Sequence, residues 1–319
     1  MTNTIPEVPA GAEGAMVGDI VGHGEVPSVK GRSLWGNAWI ELRRNPMFWI
    51  SAVLIVIFVV MAAFPQLFND KDPYYADLRL ARQPPSPEAI FGYDAQGYDV
   101  YARTIYGARS SILVGLFATL STLVFGSAMG IVAGFFGGWV DGVLSRIGDI
   151  FFAIPLLLGG ILVLYTFPSD LDTPYLVVVG KVVIALAIVG WPNLARLMRS
   201  SVLQVKPNDY VQAARALGAS PSRIILSHIL PNSLAPVIVV STINLGAFIA
   251  AEATLSFLGI GLQPPAISWG LSISQASGIG LIRQAPHMLL FPSLFLVLTV
   301  LAFIMLGDAI RDALDPKMR

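Results

Sequence analysis

Six long apolar runs constrain the fold of this chain more than any other feature of its sequence. They cover residues 47–67, 110–136, 143–167, 175–194, 233–257 and 286–307. Each run approaches or exceeds the roughly 20 residues with which an α-helix crosses about 30 Å of hydrocarbon. Because a backbone in lipid must satisfy its own hydrogen bonds, runs of this length indicate helices. The sequence therefore predicts an all-α polytopic membrane protein with six transmembrane helices.

The composition argues against several classes of function. Of the 319 residues, 55% are hydrophobic and 13% are charged, about half the charged share of a soluble domain. The formal net charge is zero, so no basic field indicates a nucleic-acid partner. Cysteine is absent and the three histidines are far apart, which predicts no metal site. Without a phosphate-binding loop or a catalytic cluster, we expect that the chain is not itself an enzyme.

The distribution of Lys and Arg predicts the orientation in the membrane. With a cytoplasmic N-terminus, 13 of the 20 basic residues fall on the inner side, and five of the other seven lie in one long outer loop. Positive charges favour the cytoplasmic side, and long loops count less in this rule. Both termini are therefore expected inside the cell, with external segments at about 68–109 and 258–285.

The residues before the first run divide into two parts. Residues 1–32 are rich in Gly, Pro, Val and Glu, and they are predicted to form a disordered cytoplasmic tail. Residues 33–46 are predicted to form an amphipathic interfacial helix, because Trp39 suits the membrane surface and Arg43 and Arg44 suit anionic headgroups. Pro46 indicates a break before the first span.

Three glycines lie at four-residue spacing in the second run, at Gly126, Gly130 and Gly134. Small residues at this spacing let a second helix approach closely in lipid. Glycine is also tolerated in membrane helices without such a role. The regular spacing favours a helix-packing face.

A polar segment, YVQAARALGASPSRIILSHILP, separates the fourth and fifth runs at residues 210–231. Asn208 and Asp209 are suitable N-cap residues for a first short helix, and Gly218 suits its left-handed end. Ser220 and Pro221 form a second helix start, since Pro is favoured at the first helical position. The segment is therefore predicted to contain two short helices with a sharp bend between them.

One face of the first short helix is predicted to carry Tyr210, Ala213, Ala214 and Leu217, which follow helical spacing. Two interpretations are open for this face. It could dock into the groove of a partner, or it could lie on lipid headgroups. A lipid-seeking helix needs bulkier apolar residues than alanine, so the small side chains favour docking.

The same segment resembles the cytoplasmic signature loop of ABC-importer permeases. That loop is named for Glu-Ala-Ala, followed by a glycine and later by an apolar-Leu-Pro. The pattern is filled here by Gln212-Ala213-Ala214, Gly218 and Ile229-Leu230-Pro231, with Gln212 where the family commonly has Glu. The resemblance implies that this helix couples the chain to a cytoplasmic ATPase. The coupling residues implied are Tyr210, Gln212, Ala213, Ala214, Leu217 and Gly218.

Three further segments resemble the dipeptide, oligopeptide and nickel branch of these permeases. They are GYDAQGYDVYARTIYGARSSILVG at 92–115, AEATLSFLGIGLQPPAISWG at 251–270 and LGDAIRDALDPKMR at 306–319. The similarity extends over residues 33–319 and points to the second, C-type, permease subunit. It implies the type I ABC importer fold. Residues 47–319 would form the six-helix permease domain, with a cytoplasmic coupling loop at about 196–231.

The resemblance also implies a function and a set of partners. The chain would be the permease subunit of an ATP-driven importer of dipeptides or oligopeptides, spanning the inner membrane of a prokaryote several times. A second homologous permease would complete the translocation path, and an extracytoplasmic binding protein would deliver substrate. One or two ABC ATPase subunits would bind ATP and Mg. No cofactor is expected on this chain, and membrane lipid surrounds it.

Two other classes of function stay open on the residues alone. A self-sufficient, ion-coupled secondary transporter would need ion sites in broken helices near the bilayer midplane, and few intramembrane acids are present for them. A membrane enzyme is less supported, because no His, Cys or carboxylate cluster has catalytic spacing.

Glu252 is the most unusual residue inside a predicted span, near the outer end of the fifth. A carboxylate in hydrocarbon is costly and marks a functional position by default. One interpretation is that Glu252 lines the translocation path. The other is that it hydrogen-bonds a neighbouring helix or outer loop and so holds an external gate, and the residues slightly favour this second one.

Overall fold

The computed structural model describes residues 34–170 and 172–314, so the predicted tail at 1–32 lies outside the described residues. Within them the fold is all-helical, with isolated β-bridges in place of strands. The α-helices are α1 (Leu34–Leu42), α2 (Pro46–Ala63), α3 (Val100–Phe136), α4 (Gly138–Phe152), α5 (Leu156–Thr166), α6 (Tyr175–Val205), α7 (Asp209–Ala216), α8 (Pro221–Ile224), α9 (Leu230–Phe257), α10 (Trp269–Ala276), α11 (Ile279–Gln284) and α12 (His287–Leu314). A π-helical turn, Ile225–Ile229, joins α8 to α9.

Five of the helical rods are long and apolar enough to cross a membrane. They are α2, α3, α6, α12 and the continuous rod Pro221–Phe257 formed by α8, the π-helical turn and α9. A sixth span exists if α4 and α5 are counted together. This arrangement confirms the predicted all-α membrane fold with up to six spans.

The third predicted span, residues 143–167, is wrong as a single helix. The structure divides it into α4 and α5, which meet at 85°. The break falls before Pro155, which cannot donate a backbone hydrogen bond and disfavours helical geometry at the preceding residue. With 11 residues, α5 extends only about 16 Å, so it cannot cross the hydrocarbon alone.

Two predicted boundaries also move. Helix α3 begins at Val100 rather than at residue 110, because the Asp99 side chain accepts a hydrogen bond from Ala102 N and caps the helix. Helix α6 continues to Val205 instead of ending near 194. The apolar run ends earlier, but Arg196 and Arg199 stay in the helix and bind carboxylates of α4. The connection before α3 therefore ends at residue 99, and the segment predicted as a coupling loop from 196 starts at 206.

Helices α3 and α6 run parallel and form the closest helix pair of the bundle. The structure places Gly126, Gly130 and Gly134 on the side of α3 that faces α6. A β-carbon on Gly134 would lie 2.9 Å from Val202 Cβ, and one on Gly130 would overlap the Ala195 carbonyl oxygen. The two backbones can therefore approach this closely only because these positions lack side chains.

Buried apolar side chains form four clusters in the described residues, and a small one joins the start of α3 to α10 and α12. The other three are larger. One lies among α3, α5, α6 and α9, and a second among α2, α3, α9, α10 and α12. The third connects α3 and α6 to α7, α8 and α9 at one end of the bundle. We call this the α7 end, and the opposite end, which carries α10 and α11, the α10 end.

The long connection at 64–99 folds onto the α10 end. Lys71 Nζ lies 2.7 Å from Asp99 Oδ2, and Tyr74 donates its hydroxyl hydrogen to the Pro265 carbonyl. His287 Nε2, at the start of α12, lies 3.0 Å from the Tyr93 carbonyl oxygen. These contacts hold the connection against α3 and α12, so it forms an ordered cover over this end.

Gly130→Ala is expected to lower the free energy of unfolding by about 1–3 kcal/mol, because its methyl group would overlap the backbone of α6. Gly180→Ala is the matched control, since Gly180 is a helical glycine of α6 with open space at its β-carbon position. Thermal unfolding of the purified protein in detergent measures both variants. Equal stability of the two would contradict the close packing of α3 on α6.

Candidate functional site

The end of α7 is defined by backbone hydrogen bonds around Gly218. Gly218 has a φ of +80°, its N–H donates to the Arg215 carbonyl, and Ala219 N–H donates to the Ala214 carbonyl. This pair of bonds is the Schellman motif, which ends a helix at a left-handed residue. A β-carbon on Gly218 would meet no other atom. The requirement for glycine is therefore conformational, and it sets the direction in which the chain leaves α7.

The inner face of α7 differs from the predicted one. Val211 is fully buried and packs in the cluster at the α7 end, and Ala214 is partly buried beside it. Tyr210 and Leu217 are 42% and 88% exposed, and Ala213 is exposed with them. The four residues predicted to share one face are therefore divided: Ala214 faces the bundle, and the other three, Tyr210, Ala213 and Leu217, are exposed. Val211 was missed, although a valine among alanines is the stronger signal for a buried position.

Gln212 links α7 to the end of α6. Its Nε2 donates a hydrogen bond of 3.0 Å to the carbonyl of Lys206, the C-cap residue of α6. A carboxylate cannot donate this bond, because it carries no hydrogen. In this chain Gln212 therefore makes an uncharged contact within the subunit.

On its other side, α7 packs against the rod that continues into α9. Ser220 Oγ accepts from Arg223 N and caps α8, with Pro221 at the first helical position. The π-helical turn follows, and its His228 ring lies 6.3 Å from the Tyr210 ring, centroid to centroid. π-Helical turns are frequent at functional sites. Helix α7 is thus attached to α6 and to the rod, so its displacement would move two spans.

Two ion pairs hold α4 against α6. Arg199 donates to both oxygens of Asp141, and Arg196 NH2 lies 2.7 Å from Asp149 Oδ1. Arg146, three residues before Asp149 on α4, lies farther from that carboxylate, at 4.0 Å. Side chains of α3, α4 and α6 enclose a cavity of about 390 Å³ between these pairs. The sequence does not reveal these contacts, since the partners are distant along the chain.

Helix α4 has backbone breaks at both ends. Gly137 precedes the helix with a φ of +70°, and Gly138 begins it with a φ of +55°. A β-carbon at either position would meet open space. The break before Pro155 follows it. Between these breaks, α4 is held to α6 by the two ion pairs and by ring contacts, in which Phe151 packs on Trp191 and Arg196 lies over Phe152.

Glu252 is fully buried where α9, α3 and α10 meet. Ser256 Oγ donates a 2.7 Å hydrogen bond to Glu252 Oε1 and accepts one from Leu262 N. Ser111 of α3 and Ser268, the N-cap of α10, lie beside the carboxyl group. Among the described residues, no Lys, Arg or His forms an ion pair with it. The position of Glu252 favours the interpretation as a link between helices, since no surface of this subunit exposes it.

Helix α10 packs closely against α3 and α9 next to Glu252. Trp269 is fully buried and donates its indole N–H to the Thr104 carbonyl at 2.8 Å. A β-carbon on Gly107 would lie 3.3 Å from the Ser268 carbonyl carbon, and one on Gly270 would lie 2.6 Å from Ala253 Cα. These approaches leave α10 little room to shift without moving α3 or α9.

The connection at 64–99 exposes apolar and charged groups together. Tyr74, Tyr75 and Leu78 are exposed, and the ion pair of Asp77 with Arg79 lies among them. Hydrogen bonds from Arg79 hold the pKa of the Asp77 carboxyl below its usual value. Tyrosines beside charged groups are typical of surfaces that bind other proteins.

The fold is that of a multi-span membrane protein in which the short helix α7 packs across one end of the bundle and the connection at 64–99 covers the other. The family model described as "Binding-protein-dependent transport system inner membrane component" matches residues 126–319. A second model, "N-terminal TM domain of oligopeptide transport permease C", matches residues 33–85. The chain belongs to the binding-protein-dependent transport system inner membrane components, and it is a permease subunit of an ABC importer.

Several curated relatives match over almost the whole chain. The oligopeptide transport system permease protein OppC of Bacillus subtilis is 39% identical over 298 residues, covering 93% of this chain and 94% of that protein. The dipeptide transport system permease protein DppC of Alkalihalophilus pseudofirmus is 39% identical, covering 90% and 91%. The glutathione transport system permease protein GsiD of Escherichia coli O157:H7 is 37% identical, covering 90% and 92%.

Glu252→Gln is expected to keep the stability and transport activity of the unmodified protein. A buried, unpaired carboxylate costs several kcal/mol, whereas the neutral amide can still accept from Ser256. Glu252→Leu should lower the free energy of unfolding by about 1–3 kcal/mol, since it leaves the Ser256 hydroxyl without its acceptor. Thermal unfolding and ATP-dependent uptake measure both. A large loss of uptake with Gln alone would indicate that the charge itself acts.

Arg199→Asp is expected to destabilise the protein by releasing one end of α4 and placing two carboxylates together. Combining it with Asp141→Arg should recover at least half of the lost stability, because the reversed pair can form again. Arg146→Ala is the control, since the Arg146 side chain is 87% exposed and lies as far as 4.0 Å from the Asp149 carboxylate. The thermal unfolding midpoint measures each variant. Additive losses in the double variant would contradict a specific pair.

Proposed function

We propose that this permease subunit imports short peptides. The names of its relatives refer to oligopeptide, dipeptide and glutathione transport, and glutathione is itself a small peptide. Each of these relatives matches at least nine-tenths of this chain. The shared length supports the same class of substrate, because the match includes both ends of the bundle.

The observation that carries the coupling role is the two-sided geometry of α7. Val211 and Gln212 anchor it to the subunit, whereas Tyr210, Ala213 and Leu217 are exposed on the outside. An apolar residue as exposed as Leu217 at a rigid helix end suits the groove of a partner protein. We infer that this partner is an ABC ATPase subunit, and that the α7 end faces the cytoplasm of a prokaryote.

In this mechanism the chain transmits work that it does not generate. ATP and Mg bound to one or two partner ATPase subunits supply the energy. Closure of the ATPase subunits displaces α7, and the contacts of Val211 and Gln212 pass this displacement to α6. The π-helical turn passes it to α9 in the same step. Helix α6 then carries Arg196 and Arg199, so α4 follows through its two ion pairs.

We infer that a second homologous permease subunit completes the translocation path, so that rocking of the two subunits against each other opens the path on either side in turn. Delivery of peptide requires a binding protein at the α10 end. The exposed Tyr74, Tyr75 and Leu78 form a suitable contact surface there. The Asp77 and Arg79 pair adds charged groups that orient such a partner.

Leu217→Asp is expected to reduce ATP-dependent peptide uptake about tenfold or more, since burying an unpaired carboxylate in an apolar groove costs several kcal/mol. Leu217→Met is the matched control, because it conserves volume and apolar character. The side chain is 88% exposed, so neither change should alter the thermal stability of the isolated subunit. Uptake into proteoliposomes and co-purification of the ATPase measure the effect.

Two outcomes would contradict this proposal. Normal uptake by Leu217→Asp would remove α7 as the coupling contact. Peptide uptake by the isolated chain, driven by an ion gradient without ATPase subunits, would instead indicate a secondary transporter. The second result is measured with the same vesicles in the absence of ATP.

A further inference from the structure

Helices α9 and α12 leave an apolar groove between them at the α7 end. Toward the other end the two helices are in close contact. A β-carbon on Gly246 would lie 3.0 Å from the Val300 carbonyl oxygen, and one on Gly307 would overlap Ile243 Cγ1. Between Ile243 and the α7 end the helices enclose a volume of about 460 Å³. The residues that line it are Ala235, Pro236, Val239, Val240, Ile243, Arg311 and Leu314.

An exposed apolar stripe of α12 leads to this groove. Its side chains recur three and four residues apart and are between 37% and 59% exposed: Leu290, Leu294, Val297, Leu301 and Ile304. Arg311 continues the same stripe two turns after Ile304. At 1.5 Å per residue, the rise from Leu290 to Arg311 is about 32 Å, close to the roughly 30 Å of a hydrocarbon core. A stripe of this length suits contact with lipid and brings Arg311 to the level of the headgroups.

Arg311 brings an unpaired guanidinium group to the mouth of the groove. It lines the groove and is exposed. Within residues 34–170 and 172–314, its side chain forms no hydrogen bond and no ion pair. Asp308 lies one turn earlier on the same face, and in this part of the chain it has no ion-pair partner either. The mouth of the groove therefore presents a positive and a negative group side by side.

The two charges and the groove match the parts of one phospholipid. A guanidinium group binds phosphate oxygens through two parallel hydrogen bonds. The carboxylate beside it suits a primary ammonium, which has three N–H donors. The lining of the groove runs along α9 from Ala235 to Ile243, about 12 Å, and the hydrocarbon of one leaflet is about 15 Å deep. Because the two charges cancel, a zwitterionic headgroup fits better than an anionic one.

We propose that this groove binds one phospholipid with a primary ammonium headgroup, such as phosphatidylethanolamine, from the leaflet at the α7 end. Arg311 binds its phosphate, Asp308 binds its ammonium, and one acyl chain lies along α9. The lipid would contact the rod that α7 displaces, so it would take part in the motion of the subunit. The site does not depend on which substrate the subunit transports.

The test uses photoreactive lipids in the complete complex, reconstituted in nanodiscs. Two probes carry the same diazirine acyl chain and differ only in the headgroup, which is ethanolamine or choline. Mass spectrometry of the digested protein measures the amount of probe attached to residues 235–243 after illumination. The choline headgroup has no N–H group to donate. The ethanolamine probe should therefore label this segment about tenfold more.

Three variants separate the parts of the site. Arg311→Gln should lower labelling by both probes about tenfold, because the phosphate loses a charge-assisted contact. Asp308→Asn should remove the preference for ethanolamine and leave labelling by the choline probe within about twofold. Ala235→Phe fills the groove and should lower labelling by both probes without a change of charge.

Arg146→Gln is the matched control, since the Arg146 side chain is 87% exposed and lies outside the groove. It makes the same change of charge as Arg311→Gln, and its labelling by both probes should equal that of the unmodified complex. The thermal unfolding midpoint of each variant checks that the fold is retained.

Four results would overturn the inference. Equal labelling of the unmodified complex by the two probes would remove the recognition of the headgroup. Unchanged labelling in Arg311→Gln would reduce the groove to ordinary contact with bulk lipid. Absence of label at residues 235–243 would exclude a lipid there. Labelling of the isolated chain alone would assign the groove to another subunit of the complex.

Discussion

The close contact of α3 with α6 is the constraint on which the rest of the structure depends. Three glycines remove the side chains that would separate the two backbones. Helix α6 can therefore sit deep in the bundle, where it also contacts α4, α5 and α9. Because α6 is continuous from the α10 end to Val205, it connects that end of the bundle with helix α7. A shift of α6 would act on both ends of the molecule.

Polar side chains of the helices find hydrogen-bond or ion-pair partners in three different ways. Asp141 and Asp149 are paired with arginines, so each charge is neutralised within the subunit. Glu252 is buried among serines of α3, α9 and the N-cap of α10, and it accepts a hydrogen bond from Ser256 of its own helix. Lys181 donates hydrogen bonds to the Pro168 carbonyl and to Ser169 Oγ, which are neutral oxygens of the preceding connection.

Sequence reasoning was accurate where one local property decides the outcome. Long apolar runs predicted the spans, because only helices satisfy backbone hydrogen bonds in lipid. It was wrong where two properties compete. Residues 143–167 are apolar enough for one span, yet Pro155 breaks them. Residues 196–205 are polar enough for a loop, yet ion pairs to α4 keep them helical. Hydropathy measures the free energy of transferring a residue into lipid. It carries no information about helix breaks or about ion-pair partners on other helices.

The sequence by itself determined the class of the protein, the helical end at Gly218 and the glycine face of α3, because each depends on residues that are near one another in the chain. Only the tertiary structure decided that Val211 faces inward, that Asp141 meets Arg199 and that Glu252 lies beneath α10. It also decided that Lys181 donates to the carbonyl of Pro168. These features join residues from different helices, and their energies depend on distances that no local pattern specifies.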